Sequence, residues 1–153
     1  MGGELRHVAA QELPVWWPIL RDRIAAACAR SGGKYLPADI LKEVAAGRMH
    51  VFAVTPLARD DASADAPPPI QAIAIAEITQ FPRRRVCRVL ACTGEKTSEW
   101  LDKLAEIEAW ARRCGCTAIE PVARPGWERK LKSRGYRKTH VVLEKSLIAE
   151  KIT

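Results

Sequence analysis

The sequence predicts a single α/β domain, on three observations. Apolar residues alternate between strand-like runs and helix-spaced stripes along the whole chain. Its 153 residues and 48% hydrophobic content suffice for one sizeable core. No internal repeat or change of composition divides the chain into two self-sufficient halves.

The elements follow in order. Leu5 to Ala9 reads as a short first strand, and Pro14 suits the opening of a helix. In that helix Trp16, Leu20, Ile24, Ala27 and Cys28 share one face, and Ser31-Gly32-Gly33 ends it. A shorter helix runs from about Pro37 to Ala46, with Ile40, Leu41, Val44 and Ala45 apolar and Gly47 as its stop. Met49 to Thr55 is a strand.

Residues 56–69 are rich in polar residues and end in three prolines, which a sheet does not accept. This stretch is expected to be a mobile hairpin loop inside the domain. The apolar run Ile70 to Ile78 is a buried strand, Phe81-Pro82-Arg83-Arg84 a tight connection, and Val86 to Cys92 the next strand. Trp100, Leu104, Ile107, Ala111 and Cys114 mark the clearest helix, with Thr97 or Ser98 as cap and Gly115 as stop. Ala118 to Val122 is a short strand, Gly126 to Arg134 a basic helix, and Tyr136 to Lys145 a final strand around Val141, Val142 and Leu143.

Composition narrows the function classes. There is no apolar run of about 18 residues and no secretory-type start, so a soluble, intracellular protein without membrane contact is expected. Five cysteines, an odd number set in apolar patterns, suit small core residues in a reducing compartment. Cys114 and Cys116 lack a second ligand pair, so no metal is expected. The net charge of +7 is uneven: residues 80–145 carry 16 Lys+Arg against 8 Asp+Glu, residues 1–79 carry 8 against 9. A basic second half suits nucleic acid, coenzyme phosphates or an acidic protein surface, and charge alone does not choose among them.

This element order, with Trp110-Ala111-Arg112-Arg113-Cys114-Gly115-Cys116 after a long helix and Leu131-Lys132-Ser133-Arg134-Gly135-Tyr136 before a closing strand, resembles the Gcn5-related N-acetyltransferase (GNAT) superfamily over about residues 5–146. The resemblance implies a mixed central sheet of six or seven strands flanked by about four helices. Gly32-Gly33-Lys34-Tyr35, Phe81 to Arg88 and Arg124-Pro125-Gly126-Trp127-Glu128 are similar to short GNAT-like proteins of tailed phages and prophages, which implies the cytoplasm of a phage-bearing bacterium, or a virion.

The resemblance further implies acetyl-CoA held where the fourth strand splays from the fifth, at Val89 and Ala91, with its pyrophosphate at a glycine-rich loop opening the central helix. Here that loop is Thr93-Gly94-Glu95-Lys96-Thr97-Ser98-Glu99-Trp100, with one glycine and two carboxylates. Gly94, Lys96, Thr97 and Ser98 offer the donors. Alternatively Thr97 and Glu99 simply cap the helix. Where the family places a proton-donating tyrosine stands Leu131, leaving Tyr136 as a substitute or as a core ring.

For the general base the candidates are Glu77 and, second, Glu120, both inside apolar strands. A carboxylate there is either functional or paired with an arginine such as Arg85 or Arg88. His7, His50 and His140 lie on separate strands without a nucleophile motif, and each reads as structural. Trp127 sits among Arg124, Arg129, Lys130, Lys132 and Arg134, suited to nucleic acid or protein, or to lying under a solvated basic helix.

Two functions lead as expectations: a divergent N-acyltransferase acting on a small-molecule or protein amine, or a catalytically inactive GNAT-like fold that binds a phage or host protein; a nucleic-acid binder is a third, with no recognised binding motif beside the charge. Fold alone does not choose between them.

Overall fold

The computed structural model describes residues 3–56, 69–94 and 101–148. They fall in two compact units, Met1–Val122 and Ala123–Thr153. Most of the 56–69 loop and residues 95–100, including Lys96, Thr97 and Ser98, lie outside the described residues.

The first unit holds a five-stranded sheet in sequential order: β1 (Glu4–Val8), β2 (Met49–Thr55), β3 (Ala72–Gln80), β4 (Arg85–Gly94) and β5 (Ala118–Pro121). The first three pairings are antiparallel. The last is parallel, so the chain must cross over a face of the sheet between β4 and β5. Helix α3 (Leu104–Arg113) makes that crossing. Helices α1 (Leu13–Ala29) and α2 (Pro37–Ala45) stand between β1 and β2.

The period of two along the strands builds a core on each face. Val51, Ala53, Ile73 and Ile75 pack with Leu20, Ile24, Ile40 and Val44 of α1 and α2. Phe52, Ala74, Ala76, Cys87 and Val89 pack with Ile107 and Ala111 of α3. The unbroken apolar run of β3 thus reflects burial on both faces. Gly115, at φ 84°, takes the left-handed conformation that stops α3.

The second unit contains α4 (Pro125–Lys132), whose basic side chains crowd its last turn, where they favour the negative helix end. The expected final strand Tyr136 to Lys145 is not formed: no strand is assigned over residues 136–148. Alternating β-branched residues report strand propensity, but a strand exists only through a hydrogen-bonded ladder, and here Val142 and Leu143 are 82% and 90% exposed. The described sheet accordingly has five strands, against the six or seven expected.

Candidate functional site

β4 does not run smoothly beside β3. Ile75 pairs with Ala91 and Ala76 with Val89, so Leu90 is an extra residue, a β-bulge. The side chains agree: Leu90 and Ala91 both pack on the α1/α2 side, while Val89 and Cys92 belong to the α3 side.

The pairing with β5 ends at the same point. Val89 is opposite Pro121, its carbonyl accepts a hydrogen bond from Val122 N at 2.9 Å, and no later residue of β4 has a ladder partner on β5. Ala91 to Gly94 therefore pair only with β3 among the described residues, leaving the other backbone edge open. The Thr93 hydroxyl, buried beside this edge, has no hydrogen-bond partner among the described residues.

One step before the bulge, a row of charges crosses the α1/α2 face. Glu77 pairs across the ladder with Arg88, and Arg88 with Glu120. Arg88 Nη1 lies 3.5 Å from Glu77 Oε1, and its Nε 3.9 Å from Glu120 Oε2. Glu77 is the more enclosed of the two carboxylates. Of the arginines considered from sequence, Arg88 is the partner. Arg85 instead lies against Gly115 at the end of α3.

Sequence reasoning passed over Tyr35, which stands between α1 and α2 and packs on the same core. Burial, and then the Glu77 carboxylate, push its phenol above the ordinary 10, with Arg88 pulling the other way. The phenol keeps its proton at neutral pH. The only sequence signal was its place in the Gly32-Gly33-Lys34-Tyr35 turn.

Of the other site residues expected from sequence, Val89 is buried, Ala91 half-buried and Gly94 exposed at the end of β4. Tyr136 is half-buried in the second unit, its backbone N–H donating to Leu131 O at 3.2 Å. The cysteines are unpaired. Burial pushes the Cys87 and Cys92 thiols up to about 12, which removes them as thiolate nucleophiles at neutral pH. Among the described residues no group of three or more His, Cys, Asp or Glu is placed to hold a metal ion, and no helix is long and apolar enough to cross a membrane.

The histidines do not act singly. The β1–β2 pairing brings His7 Nε2 within 3.1 Å of His50 Nδ1, with His7 stacked on Phe52 and Trp110 edge-on to all three rings. Burial lowers both imidazoles below their ordinary 6.5, with Glu12 partly opposing this at His7 and His7 reinforcing it at His50. Lowered folded values mean that the unfolded chain binds more protons. Stability from this pair is thus complete above about pH 6.5 and is lost as pH falls below it. A fall in Tm from pH 7.5 to pH 5.5 that shrinks in His50→Gln is expected; an unchanged pH dependence in the variant would remove the pair as its source.

No protein-family model matches the chain, and no curated protein does. Solved structures match throughout its length. A predicted acetyltransferase of Clostridium acetobutylicum, solved with acetyl-CoA, is 16% identical with TM-score 0.63, covering 94% of this chain and 96% of that one. A Trypanosoma brucei acetyltransferase is 14% identical with TM-score 0.63, covering 94% and 99%. A GNAT family acetyltransferase of Staphylococcus aureus is 14% identical with TM-score 0.60, covering 96% and 100%. The chain thus has the GNAT acetyltransferase fold.

Proposed function

We propose that the protein is a divergent N-acyltransferase, moving an acetyl group from acetyl-CoA to an amine. The observation that carries this reading is the bulged β4, whose open edge over Ala91 to Gly94 begins at the Ile75–Ala91 pair, two residues along β3 from Glu77. Backbone donors and acceptors without a β5 partner suit the two amides of a pantetheine arm, and the Thr93 hydroxyl, unpartnered among the described residues, adds a polar group at the same edge. When bound, acetyl-CoA would supply the acyl group as a thioester, the C–S bond breaking as the C–N bond to the amine forms and CoA leaving as the thiolate. Glu77 takes the proton from the attacking amine, directly or through one water, while Arg88 holds its carboxylate in place.

Titration calorimetry with acetyl-CoA and CoA tests the reading, repeated at higher salt to strip nonspecific charge binding. Saturable one-to-one binding is expected, with Glu77→Gln lowering kcat about 10²–10⁴-fold at unchanged acetyl-CoA affinity. No binding at millimolar ligand would sink it.

A second reading is favoured by Leu131, apolar and 5% exposed where the family resemblance asks for a proton-donating tyrosine. On that reading the fold has lost its chemistry and serves as a binding module for a phage or host protein, in the infected cytoplasm or the virion. Calorimetry without acetyl-CoA binding would turn the search to such partners.

A further inference from the structure

The turn joining β3 to β4 combines features that neither folding nor the acyltransferase reading uses. Phe81 N–H donates to Arg84 O at 2.8 Å, and the Gln80 side-chain amide donates to Phe81 O at 2.8 Å, so the turn is tied down by its own hydrogen bonds. It nevertheless leaves Phe81 42% exposed. Around that ring lies a shallow open depression of about 400 Å³, lined by Phe81, Pro82, Arg83, Arg84, Val86 and Glu120.

The chemistry of this seat is mixed in a specific way. Phe81 and Pro82 supply apolar surface with an aromatic face, over the buried Val86. Arg83 and Arg84 are exposed and form no ion pair among the described residues. Glu120 also lines the depression, with Arg88 Nε 3.9 Å from its carboxylate. More positive charge stands behind the turn. Thr117 N–H donates to Arg85 O, and Arg85 lies against Gly115, just beyond Arg112 and Arg113 at the end of α3.

An acidic protein surface would need only the arginines. A nucleotide in a single strand uses every part: a base stacks on Phe81, its phosphates meet Arg83 and Arg84, and an exocyclic amino group donates to Glu120. The open, shallow shape admits a continuous strand. We infer that this turn is a binding seat for single-stranded nucleic acid, with one base held on Phe81 between the two arginines.

The test is fluorescence anisotropy of the full chain with a labelled oligodeoxyadenylate of about twelve nucleotides. Binding at about 50 mM salt is expected, weakening about sevenfold at about 200 mM, as two phosphate contacts on a single strand imply. Phe81→Ala should weaken it about tenfold; Phe81→Tyr, which keeps a stacking ring, should not. Arg83→Glu with Arg84→Glu should weaken it tenfold or more, while Arg129→Glu with Lys132→Glu, in α4, leaves most of the affinity.

Four results would overturn the inference. One is no binding up to about 100 µM protein at low salt. Another is an affinity lost through the α4 variants and kept in the turn variants. A third is displacement by oligo-glutamate as effective as by unlabelled strand, which marks an acidic-protein site. The last is equal displacement by AMP, which marks a free-nucleotide site. Acetyl-CoA enters none of these measurements, so their outcome is independent of the acyltransferase reading.

Discussion

Phe52→Ala is expected to lower stability by about 3–5 kcal/mol, which for a chain of this size corresponds to a fall in Tm of roughly 6–20 °C. Phe52 is 2% exposed at the centre of the α3 side of the sheet. Its ring centroid lies 4.7 Å from His7 and 5.0 Å from Trp110, the first stacked and the second edge-on. Its cross-strand neighbour on β3 is Ala74, too small to swell into the space. The cost therefore combines lost transfer energy, an unrelaxed cavity and aromatic contacts worth about 0.5–1.5 kcal/mol per pair. Phe52→Leu, keeping most of the volume, should cost much less. A thermal melt of Phe52→Ala within about 2 °C of the parent would mean that Phe52 is not packed between β1, β3 and α3.

The same residue shows what sequence pattern can and cannot reveal. Met49 to Thr55 reads as a strand because it is apolar and β-branched, and it is one. Which residues face which helix follows only from the pairing, since a strand buried on both faces carries no alternation to read. The His7–His50 contact was hidden for the same reason: the two residues are far apart in the chain, and only the β1–β2 register makes them neighbours.

Glycine stops and helical stripes, being local, translate directly, as at Gly47 and Gly115. The closing segment fails in the opposite direction. Val141 to Leu143 have strand propensity, but propensity does not supply a ladder partner.

At the candidate site, Glu77 stood out in sequence as a carboxylate among apolar residues, and the structure gives it Arg88. Both explanations weighed for such a residue, a chemical role and a salt bridge, are compatible with one geometry. The bulge was not legible. Val89-Leu90-Ala91-Cys92 is uniformly apolar, and an extra residue in a ladder changes which side chains share a face without changing the composition.

That property makes Leu90 the sharpest test of the proposed acetyl-CoA site. Deleting it leaves Ala76 opposite Val89 and Ile75 opposite Ala91, now as consecutive pairs of a regular ladder. The side chains beyond the bulge keep their faces, because Ala91 and Cys92 already lie on the α1/α2 and α3 sides respectively. Fold and register thus survive, at the cost of one half-buried leucine. The bend is lost, however, and with it the local strand twist that shapes the edge over Ala91 to Gly94. Acetyl-CoA affinity should therefore fall at least tenfold, about 1.4 kcal/mol, in a protein that still melts cooperatively. Leu90→Ala, which removes the side chain and keeps the bulge, should bind nearly as well as the parent. Equal binding by the parent and a folded Leu90 deletion would show that the open edge of β4 is not where acetyl-CoA is held. A loss in the deletion alone would tie binding to the backbone geometry of the bulge, independent of the side chain it carries.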